Sequence, residues 1–247
     1  MEKYSHDNIV PFKNSELGKK EQVADMFNRI AFRYDFLNRF LSAGIDMYWR
    51  KRAIRELSGK DPQLILDVAT GTADMAVMMT KYLHPKKIIG IDISESMLER
   101  GRRKIAKLRL NNVIELETGD SEAINLSDDT FDAVTVAFGV RNFEDLEKGL
   151  SEIRRVLQPN GKLVVLEFSK PKKLFLRRLY NFYMRMAAKG VGKWVAKNCE
   201  AYEYLQESVN AFPEGKNFAD ILQKKGYTNI YFKKLSLGIC TIYCGSK

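Results

Sequence analysis

The chain has 247 residues, 45% of them apolar, enough for one large α/β domain or two small ones with a buried core. A formal charge of +10 implies attraction to something anionic, whether nucleic acid, a membrane surface or an acidic substrate, while no apolar run approaches the roughly 18 residues of a bilayer span. The two histidines, His6 and His84, and three cysteines without a CxxC leave little room for histidine-based metal or triad chemistry, and Cys240 and Cys244 in an apolar strand-like run read as buried reduced thiols.

Residues 1–19 read as a polar, flexible tail without a secretory pattern, which points to a cytoplasmic protein. From Lys20 to Leu41 the residues Val23, Met26, Phe27, Ile30, Ala31, Tyr34, Leu37 and Leu41 recur at spacings of three and four, predicting one or two amphipathic helices. A further helix is expected over about 48–57. Together, residues 20–60 are expected to form a helical cap, either a lid over a crevice or a layer that only packs on the sheet.

The central stretch is Leu64–Asp74, LILDVATGTAD. An apolar strand ends in Asp67, a turn of small residues follows at 69–73, and Asp74 stands where a helix begins. This order sets free backbone N–H groups and a positive helix end beside an open crevice. A second strand, Lys87–Ile93, carries Asp92, which lies 21 residues after Gly71. That matches the spacing of about 20 residues at which a strand-end carboxylate reaches ribose hydroxyls. The turn is not GxGxxG: one glycine and two acids suit a ribose attached to a cationic amino acid better than a pyrophosphate, which disfavours a nicotinamide dehydrogenase. The alternative is a plain βαβ unit with a tight turn and no ligand.

Strands and helices then alternate. Ser94 caps a helix to about Lys107; a strand over 113–118 ends in Gly119-Asp120-Ser121; another covers 131–138; a helix over 146–157 stops at Pro159-Asn160-Gly161; a fifth strand covers 162–168. Residues 170–197 hold nine Lys/Arg and no acid, interleaved with aromatics, and read as a basic helical insertion (170–198). It suits a membrane surface or a nucleic-acid groove, or it is a solvated basic face over ordinary core. Helices near 204–209 and 217–225 lead to strands over 231–234 and 239–244, which the short intervening loop forces into an antiparallel hairpin. The expected fold is a single Rossmann-like α/β domain over 20–247, with a seven-stranded, mainly parallel sheet and an antiparallel C-terminal hairpin.

Five segments in order give the chain a family resemblance: YDFLNRFLSAGIDMYWR at 34–50, LDVATGTAD at 66–74, FGVRNFEDLEKGL at 138–150, RVLQPNGKLVVLEFSKP at 155–171 and YLQESVNAFP at 204–213. With Asp67, Gly71, Asp92 and Asp120 at successive strand ends, the chain resembles the ubiquinone/menaquinone biosynthesis C-methyltransferases, which are class I S-adenosylmethionine-dependent enzymes. The resemblance implies that Asp67, Gly71 and Thr72 shape the cofactor turn, that Asp92 takes the ribose, and that Asp120 and Ser121 face the adenine; Asp120 as a simple turn cap is the alternative. It implies C-methylation of a polyprenyl hydroquinone, with demethylmenaquinol preferred and a ubiquinone-pathway benzoquinol, another small aromatic or a non-catalytic cofactor-binding scaffold as alternatives. Arg141 is expected to stabilise quinolate charge or else only to pair with an acid and hold the loop. Asn142 is expected to orient substrate, with Asp46 and Tyr34 as candidate bases. The family pattern is broken at Ala73 for glycine, Ala137 for serine, Asp46 for histidine, and Gln158 and Asn160 for Lys and Gly. No metal is implied, and no nucleic-acid partner, since an appended RNA-binding domain and an NPPY or catalytic Cys motif are missing. A homodimer or a quinone-biosynthesis complex stays open, as does peripheral contact of the basic insertion with the inner face of an anionic membrane.

Overall fold

Buried strands that alternate apolar residues between two covered faces build the frame. The computed structural model describes residues 4–171 and 199–247, so the basic insertion expected at 170–198 lies, beyond its first two residues, outside the described residues. Strands β1 (Leu64–Val68), β2 (Lys87–Asp92), β3 (Ile114–Thr118), β4 (Phe131–Ala137), β5 (Leu157–Phe168), β6 (Thr228–Leu235) and β7 (Cys240–Ser246) form one sheet in the order β3-β2-β1-β4-β5-β7-β6. Pairs from β3 to β5 are parallel, and β7 runs antiparallel to both β5 and β6. The seven-stranded sheet with its C-terminal hairpin is as expected.

Neighbouring strand residues divide between two cores, as period-two geometry requires. Ile65, Ala133, Val164 and Ile242 join one cluster with Trp49, Ile54, Met75 and Met79. Leu66, Val134, Val165 and Tyr243 join the other with Leu150, Ile153, Phe218 and Leu222. The first face is covered by α3 (Ile45–Arg55), α4 (Asp74–Tyr82) and α5 (Glu95–Lys107), the second by α6 (Leu146–Val156) and α8 (Lys216–Lys224). Ser94 caps α5 by accepting from Met97 N, and Asp145 caps α6 by accepting from Lys148 N at 2.9 Å. Cys240 and Cys244 are buried free thiols.

The turn expected to separate α6 from the fifth strand is instead part of it. β5 starts at Leu157, directly after α6, and Leu157 already pairs with Phe131. Pro159-Asn160-Gly161 forms the irregularity that follows, with Asn160 at φ +64°. Proline and a left-handed residue are tolerated at such a bulge because the ladder is already interrupted.

The N-terminus corrects a second expectation. Residues 4–18 are not a loose tail. A 3-10 turn, Ser5–Asn8, buries His6, whose ring lies 6.1 Å from that of Tyr4 and 5.7 Å from that of Phe212. The Tyr4 hydroxyl donates to Glu147 at 2.7 Å, and Lys19 Nζ donates to the His6 carbonyl at 2.7 Å. Ile9 and Phe12 pack on Val23 and Met26 of α1 (Lys19–Ile30) and on Tyr204 of α7 (Cys199–Ala211). The segment is polar on average, yet Ile9, Pro11 and Phe12 find cover, while Leu17 stays exposed. Burial, with the nearby Lys19 charge, drives the His6 imidazole down to about 3.

Candidate active site

The carboxyl ends of β1, β2, β3 and β4 meet where the strand order reverses, the place where open α/β sheets bind ligands. Register fixes this: Val68 pairs with Ile91 and with Val136, and Asp92 with Thr118. Thr70 N donates to Ile91 O at 3.0 Å, and Gly119 N to Asp92 O at 3.0 Å, so the turns after three strands are stitched side by side. They open on a cleft that is partly exposed to solvent. Its floor is Ala69, Gly71, Asp92, Ile93 and Gly119–Glu122; Ala137–Gly139 and Asn142–Glu144 form one wall, and Lys20, Val23, Phe27 and Tyr34 of the cap form the roof.

Asp92 sits in the floor with Oδ2 accepting from Gly71 N (2.8 Å) and Oδ1 from Ser94 N (2.9 Å). Burial, against these backbone donors and with the help of the nearby Asp67 charge, pushes its carboxyl up to about 6. A carboxylate has about four acceptor directions, so two remain for hydroxyl donors. Asp120 and Ser121 line the same cleft. Lys20 of α1 reaches down to Asp120 (2.7 Å) and Glu122 (3.2 Å), clasping the cap to the end of β3. Glu122 is itself tied to the wall, accepting from Glu144 N and Asp145 N.

Two backbone features make room. Gly71 is left-handed at φ +58°, with Tyr34 facing its Cα. At Gly139 any Cβ would lie 2.5 Å from the Ala69 methyl, so β1 and β4 turns can approach only because this position is bare. Ala73, which the family pattern leads us to expect as glycine, has φ +64°. Its departure therefore costs backbone strain of about 1 kcal/mol, rather than the lost clearance of a methyl.

Other predicted residues lie behind the cleft. Asp67 is buried away from it, with its oxygens accepting from Thr70 Oγ1 (2.7 Å) and Thr135 Oγ1 (2.6 Å). Burial raises its pKa against those two bonds. Thr72 is also buried and donates to Asp35 of α2 (Tyr34–Leu41). Lys104 joins Asp35 (2.9 Å) and Asp74 (2.6 Å), and Arg39 joins Asp74 (2.7 Å) and Asp46. Thr72 and Asp46 thus belong to a charged strap that lashes α2 to α4 and α5. Burial alone would raise the Asp74 pKa, but Arg50, Lys104 and Arg39 outweigh it and hold it low.

Arg141, too, lies outside the cleft lining. Its Nη1 donates to Glu167 (2.8 Å) and to the carbonyl of Phe138 (2.6 Å), and its guanidinium lies 5.6 Å from the Phe168 ring. Phe138 is held at φ +62°, and it stacks on Phe168 at 4.5 Å. Arg141 therefore fixes the loop that presents Asn142 to the cleft. Asn142 Oδ1 accepts from the Tyr204 hydroxyl at 3.1 Å. Burial raises the Tyr204 pKa, so it remains a donor at neutral pH and leaves the Asn142 amide N–H₂ for a ligand. Tyr34, whose pKa is also raised by burial, packs edge-on to Phe27 at 5.8 Å in the roof.

Of the predicted set, the structure brings together Gly71, Asp92, Asp120, Ser121, Asn142 and Tyr34 in one cleft, and leaves Asp67, Thr72, Asp46 and Arg141 in support. Sequence reasoning missed Lys20, Glu122 and Tyr204. Glu122 follows the Asp120-Ser121 pair directly, and Tyr204 opens a quoted signature; Lys20 left no local signal. Among the described residues no cluster of His, Cys, Asp or Glu could hold a metal, and no helix is long and apolar enough to cross a membrane.

The surroundings fit S-adenosylmethionine: Asp92 and Asp120 stand at adjacent strand ends of one cleft, and Gly71 leaves the β1 turn bare on the cleft side. Solved structures share the fold. An S-adenosylmethionine-dependent methyltransferase from Thermotoga maritima superposes with a TM-score of 0.62 at 21% identity, covering 91% of this chain and 99% of that one. Another from Methanococcus maripaludis gives 0.64 at 20% identity, covering 94% and 96%. In sequence, a demethylmenaquinone methyltransferase of Bacteroides fragilis is 43% identical over 245 residues, 99% of both chains. A ubiquinone/menaquinone biosynthesis C-methyltransferase of Geobacter sulfurreducens is 42% identical over 230 residues, 93% of this chain and 90% of that one. The family model of the ubiE/COQ5 methyltransferases matches residues 15–247, and the chain belongs to that family.

Proposed function

We propose that the protein C-methylates a polyprenyl hydroquinone, converting demethylmenaquinol to menaquinol with S-adenosylmethionine as methyl donor. The observation that carries this reading is the single cleft that gathers strand-end acids for a nucleoside on one side and the Asn142–Tyr34 pair on the other. Near full-length similarity to demethylmenaquinone methyltransferases supports the quinol as substrate.

When bound, S-adenosylmethionine supplies an electrophilic methyl on a sulfonium. In this reading Asp92 accepts from the ribose hydroxyls, while Asp120 and the Ser121 backbone face the adenine. Gly71 admits the ligand against the β1 turn, with Asp67 and Thr72 holding that turn from behind. Asn142 donates its amide to a quinol oxygen and so stabilises the quinolate, whose charge feeds electron density to the ring carbon under attack. The Arg141 guanidinium, its charge paired with Glu167, keeps the Asn142 loop in place. The new C–CH₃ bond forms as the methyl leaves sulfur, and the ring proton then departs from the same carbon. That proton passes to water or to a carboxylate of the cleft, while Tyr34, a neutral phenol whose pKa burial raises, lines the roof and Asp46 acts through the strap that holds α2. The place of action in this reading is the cytoplasmic side of a membrane that holds the quinol.

The test is turnover of purified protein with S-adenosylmethionine and demethylmenaquinol or demethylated benzoquinol in detergent, followed by mass spectrometry. A gain of one CH₂ on the naphthoquinol is expected. Cofactor binding with neither quinol methylated would remove this function and leave the scaffold reading.

A further inference from the structure

Residues 29–55 hold seven Lys/Arg and two acids. Both acids are committed inward: Asp46 is 2% exposed beside Arg39, and Asp35 is engaged by Thr72 and Lys104. The outer face of this stretch is therefore positive on balance, although Asp25 of α1 pairs with Arg29 at 2.6 Å. The same stretch displays large apolar side chains to solvent. Phe32 (74% exposed), Phe36 (60%) and Phe40 (37%) follow at four-residue steps, with Phe36 and Phe40 stacked 5.9 Å apart. Ile45, Met47 and Tyr48 continue the exposed apolar series on α3. Arg29 is 61% exposed, Arg33 is exposed, and Arg100 of α5 lies 5.3 Å over the Phe32 ring.

Soluble surfaces rarely gather so many aromatics, and such groups mark interaction sites. Aromatics flanked by Arg33 and Arg100, with Asp35 and Asp46 turned inward, match the headgroup layer of an anionic bilayer: the rings enter the acyl boundary and the guanidinium groups meet lipid phosphates. A protein partner would meet the same rings, but the net basic charge carried by Arg33 and Arg100 favours a surface whose charge is uniformly negative. The geometry also ties this face to the cleft, because α2 presents Tyr34 to the roof and Phe36 and Phe40 outward.

We infer that the outer face of α2 and α3, centred on Phe32, Phe36 and Phe40 and rimmed by Arg33 and Arg100, is the surface by which this protein docks on anionic lipid. The inference deepens the proposed function by giving a lipid-borne quinol its route to the roof of the cleft.

The experiment uses the full chain and sedimentation with vesicles of phosphatidylcholine, with and without phosphatidylglycerol, and no quinol present. Wild type is expected to bind the anionic vesicles and to release as salt rises. Phe36→Ser with Phe40→Ser should weaken that binding about tenfold or more. Arg33→Gln with Arg100→Gln should erase most of the preference for phosphatidylglycerol. Melting temperature, oligomeric state and turnover of a short-chain, water-soluble quinol should not change. Wild-type vesicle binding by the phenylalanine variants would overturn the inference. So would a lowered melting temperature or an altered oligomeric state in both pairs of variants, because the face would then be covered by the chain or by a second copy. Methylation of the soluble quinol without vesicle binding sinks the docking face and spares the enzyme assignment. Vesicle binding without methylation of any quinol does the reverse.

Discussion

Arg141 and Glu167 form the most consequential buried pair in the described structure. Their side chains are 6% and 0% exposed and meet at 2.8 Å. Replacing Arg141 by Ala strands the Glu167 carboxylate in the core, a change that costs about 3–5 kcal/mol when a buried pair loses one partner. Glu167 keeps the Phe168 N–H at 2.8 Å and the Arg141 backbone N–H at 3.3 Å, which favours the lower half of that range. Lost with the guanidinium is the 2.6 Å bond to the Phe138 carbonyl, which helps hold a left-handed residue in the wall of the cleft. At roughly 2–4 °C per kcal/mol for a domain of this size, Arg141→Ala should melt roughly 6–15 °C below wild type in a circular-dichroism scan. The companion Arg141→Met/Glu167→Gln removes both charges and should recover most of the loss. Turnover, measured well below both melting points, should stay low in the companion because the Phe138 loop is still unpinned. Should Arg141→Ala melt within about 2 °C of wild type, the pair is not the structural tie described, and the loss of turnover expected of Arg141→Ala would have to come from direct contact with substrate.

His6 is neutral in the fold, whereas the unfolded chain takes up a proton near the ordinary value of 6.5; the folded imidazole does so only at about 3. Its contribution to stability is complete above about pH 6.5 and is lost progressively as pH falls from there toward 3; His6→Phe should flatten denaturant midpoints between pH 7 and 4, and an unchanged slope would show that His6 is not buried. Asp92 must be ionised to accept ribose hydroxyls, so S-adenosylmethionine affinity by calorimetry should rise through about pH 6 and then level off, and Asp92→Asn should be weak at every pH. Tyr204→Phe frees the Asn142 amide at a cost of about 1 kcal/mol; turnover should fall about tenfold with cofactor affinity intact, and equal loss of both would point to a folding defect. Gly139→Ala forces a methyl against Ala69 at 2.5 Å and should cost about 1–3 kcal/mol, together with cofactor affinity; a wild-type melt would mean that the two turns are free to part.

Much of this protein was written in short-range pattern. Apolar runs of strand length, broken by Gly, Ser and Asp at fixed intervals, determine β1–β5 and their order because each segment carries its own period, cap and stop. Asp92 and Asp120 could be assigned to one cleft from the chain alone, since parallel strands linked by right-handed crossovers must bring those ends together. What needed the folded molecule was every pairing between distant side chains. Nothing near Lys20 predicts that it will clasp Asp120 a hundred residues on, nothing near Arg141 names Glu167 rather than a substrate as its partner, and His6 lies in a segment too polar to announce a burial site. Local sequence sets backbone conformation and which face of an element is apolar. The partner of a buried charge depends on which elements the whole chain packs against it, and that was decided only when the cap, the sheet and α7 came together.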